Sequence, residues 1–153
     1  MNDPAPENLI VQQLCKEYPT PAEPLVVLRD IEMELHQGES LAVLGPSGSG
    51  KSTLLHLIGT LDAPSSGKIQ LGGVDPSSLE QQALALYRNQ KIGFVFQEHY
   101  LLPQCTLLEN VLLPTLALGK PQANDIGRAQ DLLDRVGLAD RQGHHPGECS
   151  GGE

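Results

Sequence analysis

The sequence is short of cations, short of cysteine and without a long apolar run, and each shortage removes a class of function. Ten Lys and Arg stand against nineteen Asp and Glu, a formal charge of −9. Broad binding to nucleic acid or to an anionic lipid surface is therefore not expected, because both rest on clustered basic side chains. Three cysteines, Cys15, Cys105 and Cys149, are odd in number and far apart, which argues against a disulfide framework and against a cysteine metal site. The pair His144-His145 has no third ligand at workable spacing and reads as loop histidines. No stretch approaches the roughly 20 apolar residues that cross a bilayer. Met1 to Glu7 has neither the basic start nor the apolar core of a signal peptide, so the chain is expected to stay in the cytoplasm. At 153 residues, 39% of them apolar, it is long enough for one soluble domain with a sizeable core.

Against these absences stands one complete motif. Residues 45 to 53 read Gly45-Pro46-Ser47-Gly48-Ser49-Gly50-Lys51-Ser52-Thr53, a G-x-x-x-x-G-K-[ST] phosphate loop. Glycines at 45, 48 and 50 let the backbone turn tightly and present successive N–H groups to an anion. Lys51 is placed to reach the β- and γ-phosphates, the Ser52 hydroxyl to ligate Mg²⁺, and Thr53 to add a hydroxyl contact. The flanks agree. Leu41-Ala42-Val43-Leu44 is a short continuous apolar run, expected as a parallel strand buried on both faces. Leu54, Leu57, Ile58 and Leu61 recur at helical spacing after Lys51, which predicts a helix whose positive dipole end faces the phosphates. The chain is thus expected to bind a nucleoside triphosphate.

Upstream, Leu9-Ile10-Val11, Val26-Val27-Leu28 and Ile31 to Leu35 read as β structure around a Pro-rich loop from Pro19 to Pro24. Downstream, Lys68 to Leu71 reads as a strand with Gly72-Gly73 as its turn, followed by a helix opened by the capping-box pattern Ser77-x-x-Glu80. Ile92 to Phe96 is expected as a buried strand ending at Gln97. Residues 106 to 142 look helical, with Thr106-x-x-Glu109 as a second capping box, a break at Pro114, and a helix near 125 to 136 stopped by Gly137. In that last helix Ile126, Ala129, Leu133 and Val136 form one apolar stripe, read as packing.

The chain closes with Cys149-Ser150-Gly151-Gly152-Glu153, a hydroxyl and two glycine amides that would make an anion-binding turn at a helix start. With the phosphate loop upstream and Gln97 at a strand end between them, it resembles the ATP-binding cassette family of ATPases, and the similarity covers residues 8 to 153. Within the family it is most similar to the subgroup that energises lipoprotein release and macrolide export at the bacterial inner membrane. The similar stretches are His56 to Asp62, Arg88 to Gln97, Leu101-Leu102-Pro103 and Leu108 to Val111. Glu153 stands where the signature usually ends in glutamine, and Cys149 where it usually has leucine.

The resemblance implies an α/β fold: a P-loop NTPase core with an N-terminal antiparallel β subdomain and a C-terminal helical subdomain. The expected division is 8–97 for the β subdomain and core, 98–148 for the helical subdomain and 149–153 for the start of the signature. It implies ATP and Mg²⁺ as ligands, Tyr18 as the aromatic that stacks on adenine, and Gln97 as the residue that senses Mg²⁺ and the γ-phosphate. Ser150, Gly151 and Gly152 would reach across a dimer to the γ-phosphate on the other subunit. The implied partners are transmembrane permease subunits and a second ATPase subunit, expected as a homodimer, with membrane contact only through the permease on the cytoplasmic face. The family's apolar strand ending in Asp-Glu does not occur in this sequence. The chain is therefore expected to be a truncated cassette, unstable alone and deficient in hydrolysis, whose full-length parent is the ATPase. The alternative is a non-hydrolytic nucleotide-binding module.

Overall fold

The computed structural model describes residues 8–97 and 100–150. They divide into two units, Met1–Ile92 and Gly93–Glu153. The first carries β1 (Leu9–Tyr18), β2 (Leu25–Leu35), α1 (Lys51–Ile58), β3 (Ser66–Leu71) and α2 (Gln81–Lys91). The second carries α3 (Leu107–Leu112) and α4 (Ala123–Arg135) with short 3₁₀ turns.

In the first unit β2 and β3 flank β1, both antiparallel to it, in the order β2-β1-β3. Proline clustering between residues 19 and 24 stops β1 at Tyr18, because proline cannot donate to the ladder. β1 does not alternate simply. Its pairing slips between Val11 and Leu14 against β2 and between Gln12 and Cys15 against β3, around Gln13 with its left-handed φ of 48°. A bulge of this kind changes which parity faces inward, so Val11 is buried before it and Leu14 and Lys16 after it. Opposite the bulge sits Gly67 at φ 88°, where an added Cβ would lie 2.6 Å from the Leu14 Cα. A residue without Cβ is required at that point.

The core formed this way is Val11, Leu14, Leu28 and Ile69 from the sheet and Leu54 and Leu57 from α1. The helix after the phosphate loop is therefore clamped by two leucines one turn apart, as its spacing predicts. α2 buries no residue; the Tyr87 hydroxyl donates to the Leu71 carbonyl (3.1 Å) and Arg88 Nε to the Thr60 hydroxyl (3.1 Å).

Three local expectations are corrected. Residues 41–44 and 92–96 are not strands. A strand of a parallel sheet exists through its ladder partners, and among the described residues β1, β2 and β3 pair with one another and not with these segments. Leu44 and Val95 consequently face outward, at 88% and 102% exposure, while Val43 packs half-buried against the core. Ser77 and Glu80 form no capping box. Asp75 caps a 3₁₀ turn, Pro76–Ser78, by accepting from the Ser77 amide (2.9 Å), and α2 begins after Glu80 with no side-chain cap. A proline at 76 favours the tight turn over an immediate helix.

In the second unit the Thr106 box does form: Thr106 Oγ1 accepts from the Glu109 amide (3.2 Å), and the Thr106 amide donates to Glu109 Oε2 (2.7 Å). Buried Asn110 accepts from the Leu102 amide (2.8 Å) and donates to the carbonyls of Leu102, Cys105 and Thr106, tying the preceding loop to α3. Of the stripe on α4, Ala129 and Leu133 are buried while Ile126 and Val136 are exposed. Gly137 at φ 76° ends the helical run.

Candidate functional site

The phosphate loop is built by its glycines. Gly48 (φ 79°) and Gly50 (φ 87°) take left-handed conformations that a side chain would strain. Gly50 is buried against β2, and a Cβ there would lie 2.9 Å from Leu28 Cδ2 and 3.0 Å from the Val27 carbonyl. That contact seats the loop on the sheet. Gly50 is also the N-cap of α1, with no side-chain cap and no acidic residue in the first turn. Its carbonyl accepts from the Leu54 amide (2.8 Å), while the earlier amides of the helix have no capping side chain to satisfy them. A left-handed loop feeding an uncapped helix start concentrates N–H donors and the positive end of the dipole at one spot.

Lys51 folds back over this loop. Its Nζ donates to the carbonyls of Pro46 (2.6 Å) and Gly45 (3.0 Å) and lies 3.4 Å from Ser49 Oγ. The ammonium of half-buried Lys51 is thus parked on the rim of the cradle, from which it can swing to an anion. Pro46, Ser47, Gly48 and Ser49 are exposed, as is Ser52, and Thr53 is half-buried.

Beside the loop lies a second polar cluster, legible in the sequence only through Tyr18. The turn after α1 is closed by the Leu61 amide donating to the His56 carbonyl (2.8 Å), with Thr60 left-handed at φ 59°, and it brings Asp62 to the end of β1. There the Tyr18 hydroxyl donates to Asp62 Oδ2 (2.8 Å), and Lys16 Nζ donates to Asp62 Oδ1 (2.8 Å) and to the Ala63 carbonyl (2.7 Å). The Lys16 ammonium also lies 4.7 Å from the centroid of the Tyr18 ring. The hydrogen bond from Lys16 holds the Asp62 carboxyl below the usual carboxylate range, with the Tyr18 hydroxyl and the Ala63 amide adding to it and burial opposing. The same bond to Asp62 raises the Tyr18 phenol, partly offset by Lys16 and by the Thr53 hydroxyl. Lys16 and Asp62 were missed as site residues. The available signal was that Lys16 precedes Tyr18 by two, which on a strand puts both on one face.

Tyr18, the loop and α1 thus share the first unit. Gln97 is exposed in the second unit, at a bend beyond residues 92–96. Ser150 follows the 3₁₀ turn Pro146–Glu148 and is exposed; Gly151, Gly152 and Glu153 lie outside the described residues. Among the described residues no helix is long and apolar enough to cross a membrane.

A profile of the ABC transporter family matches residues 28–153. The lipoprotein-releasing system ATP-binding protein LolD 1 of Rhodopirellula baltica is 56% identical over 145 residues, covering 95% of this chain and 63% of that protein. The lipoprotein-releasing system ATP-binding protein LolD of Geobacter metallireducens is 49% identical, over 95% of this chain and 64% of its own length. The chain therefore spans somewhat under two thirds of the relatives it matches. Among solved structures, a dimeric ATP-binding cassette in a post-hydrolysis state, bound to ADP and Pi, superposes with a TM-score of 0.84 at 34% identity, over 94% of this chain and 64% of its own.

Proposed function

The chain belongs to the ABC transporter family, and from that premise we propose that it is the ATP-binding part of a bacterial machine that releases lipoprotein, or exports a hydrophobic substrate, from the inner membrane. The observation that carries the proposal is the loop of left-handed glycines running into an uncapped helix with Lys51 parked on its rim. Its kinship with lipoprotein-releasing ATP-binding proteins supplies the direction of the work.

In this reading the amides of residues 45–50 bind the phosphates, and Lys51 exchanges its carbonyl partners for the β- and γ-phosphates. A charged acceptor is the stronger partner, roughly twice as strong as a neutral one. The Ser52 hydroxyl, exposed at the start of α1, and Gln97 would hold Mg²⁺, which when bound neutralises charge on the phosphates. Tyr18 stacks on the adenine. Ser150, Gly151 and Gly152 would serve the nucleotide on a second subunit. The domain division at 97/98 and 148/149 belongs to this proposal and is testable by limited proteolysis. Transmembrane permease subunits are the proposed partners, and the cytoplasmic face of the inner membrane the proposed location.

Hydrolysis of ATP to ADP and phosphate is proposed for a protein of the relatives' full length. For these 153 residues the second reading, binding without hydrolysis, is favoured by one observation: no apolar run here ends in the Asp-Glu pair that would polarise water. Phosphate release with Mg²⁺ present separates the two, and background release is expected for this chain. The transport reading is tested by affinity capture from detergent-solubilised membranes of the native bacterium. Recovery of a transmembrane permease supports it; recovery of ribosomes in its place contradicts it.

A further inference from the structure

The Tyr18 ring is fixed by groups that phosphate binding does not need. Its hydroxyl is held by Asp62 Oδ2 at 2.8 Å, and one face is covered by the Lys16 ammonium, 4.7 Å from the centroid. Lys16 is 8% exposed and itself bonded to Asp62 Oδ1, so the covered face points inward. Tyr18 is 37% exposed, which leaves the other face open. The bulge at Gln13 makes this possible, since it turns Leu14 and Lys16 inward while Tyr18, at the end of β1, stays exposed.

We propose that Lys16 and Asp62 are positioning residues for the nucleotide base: together they lock the Tyr18 ring so that its open face receives a purine. The inference rests on the stacking role of Tyr18 proposed above. Two physical effects follow from the lock. An aromatic already held at both ends loses little rotamer freedom when a base stacks on it. A cation over one face draws π density from the other, which favours contact with an electron-rich purine. The phosphates, in contrast, are held by the loop amides and Lys51 and gain nothing from the pair.

The test compares ATP with inorganic tripolyphosphate, which offers the same phosphate chain and no base, by calorimetric titration of the 153-residue chain, with a thermal melt of each variant as the folding control. In Asp62→Asn, ATP affinity falls about three- to tenfold, part of the worth of one base stack, while tripolyphosphate affinity stays within about twofold. Tyr18→Phe, which keeps the ring and removes the bonded hydroxyl, shows a similar loss for ATP. The double variant loses no more than either single one, as expected for groups acting as a unit. Unchanged ATP affinity in Asp62→Asn overturns the inference, and so does an equal loss for ATP and tripolyphosphate, which makes the pair a fold element alone. If the wild-type chain binds ATP no more tightly than tripolyphosphate, the stacking role of Tyr18 itself is wrong and the inference goes with it.

Discussion

Asp62 accepts three hydrogen bonds, from Lys16, Tyr18 and the Ala63 amide, and that makes it the residue through which acid acts on the first unit. The Lys16 bond above all lowers its carboxyl below the ordinary 3.8. A lowered acid stabilises the fold fully above its unfolded value and ceases to once the pH has fallen through the lowered folded value. Melting temperatures of the wild type and Asp62→Asn should therefore differ by a constant amount from pH 7 to about 5 and converge below about 4. A gap that persists unchanged at lower pH would show that the carboxylate's charge is not what matters. The sequence reading named Tyr18 and not its two partners. Lys16 lies two residues from Tyr18 on one strand, but Asp62 is brought in by a left-handed turn at Thr60, and a threonine in that conformation carries no sequence signal.

Among the elements, β1 depends most on a single backbone event. The bulge at Gln13 sends Leu14 and Lys16 inward, and Gly67 is the residue that lets β3 pass beside it. Gly67→Ala combines a Cβ 2.6 Å from the Leu14 Cα with a left-handed φ of 88°, so a loss of about 2–4 kcal/mol is expected, read from the urea midpoint. Leu14→Ala should cost a comparable amount, about 2–5 kcal/mol, by leaving a hole in the core. A near-neutral Gly67→Ala would mean that the β1–β3 register is not what the structure shows. Elements whose signals are local were legible beforehand: α1 from its leucines, the Thr106–Glu109 box, the stop at Gly137. Those that depend on partners were not. Residues 41–44 and 92–96 have the composition of buried strands, yet strandedness is a property of a pair, and composition reports only half of it.

At the scale of the whole molecule, each unit presents apolar side chains to water. Leu41 and Leu44 do so in the first, Val95 and Phe96 in the second, all in segments whose backbone is not paired in a described strand. Unpaired extended backbone with apolar side chains templates association. The isolated chain is expected to elute as oligomers or aggregate on size exclusion; a monodisperse monomer would contradict this. The acidic balance of −9 limits the association without removing it.

The central claim is that residues 45–53 form a nucleotide site worked by Lys51, and titrating ATP into the wild-type chain and Lys51→Ala, with Mg²⁺ present, tests it most directly. Saturable binding by the wild type that weakens at least about tenfold on removal of the ammonium, the worth of one charged hydrogen bond, is the predicted result. Equal affinity in the two, or no binding by a wild-type chain shown to be folded, would contradict the account.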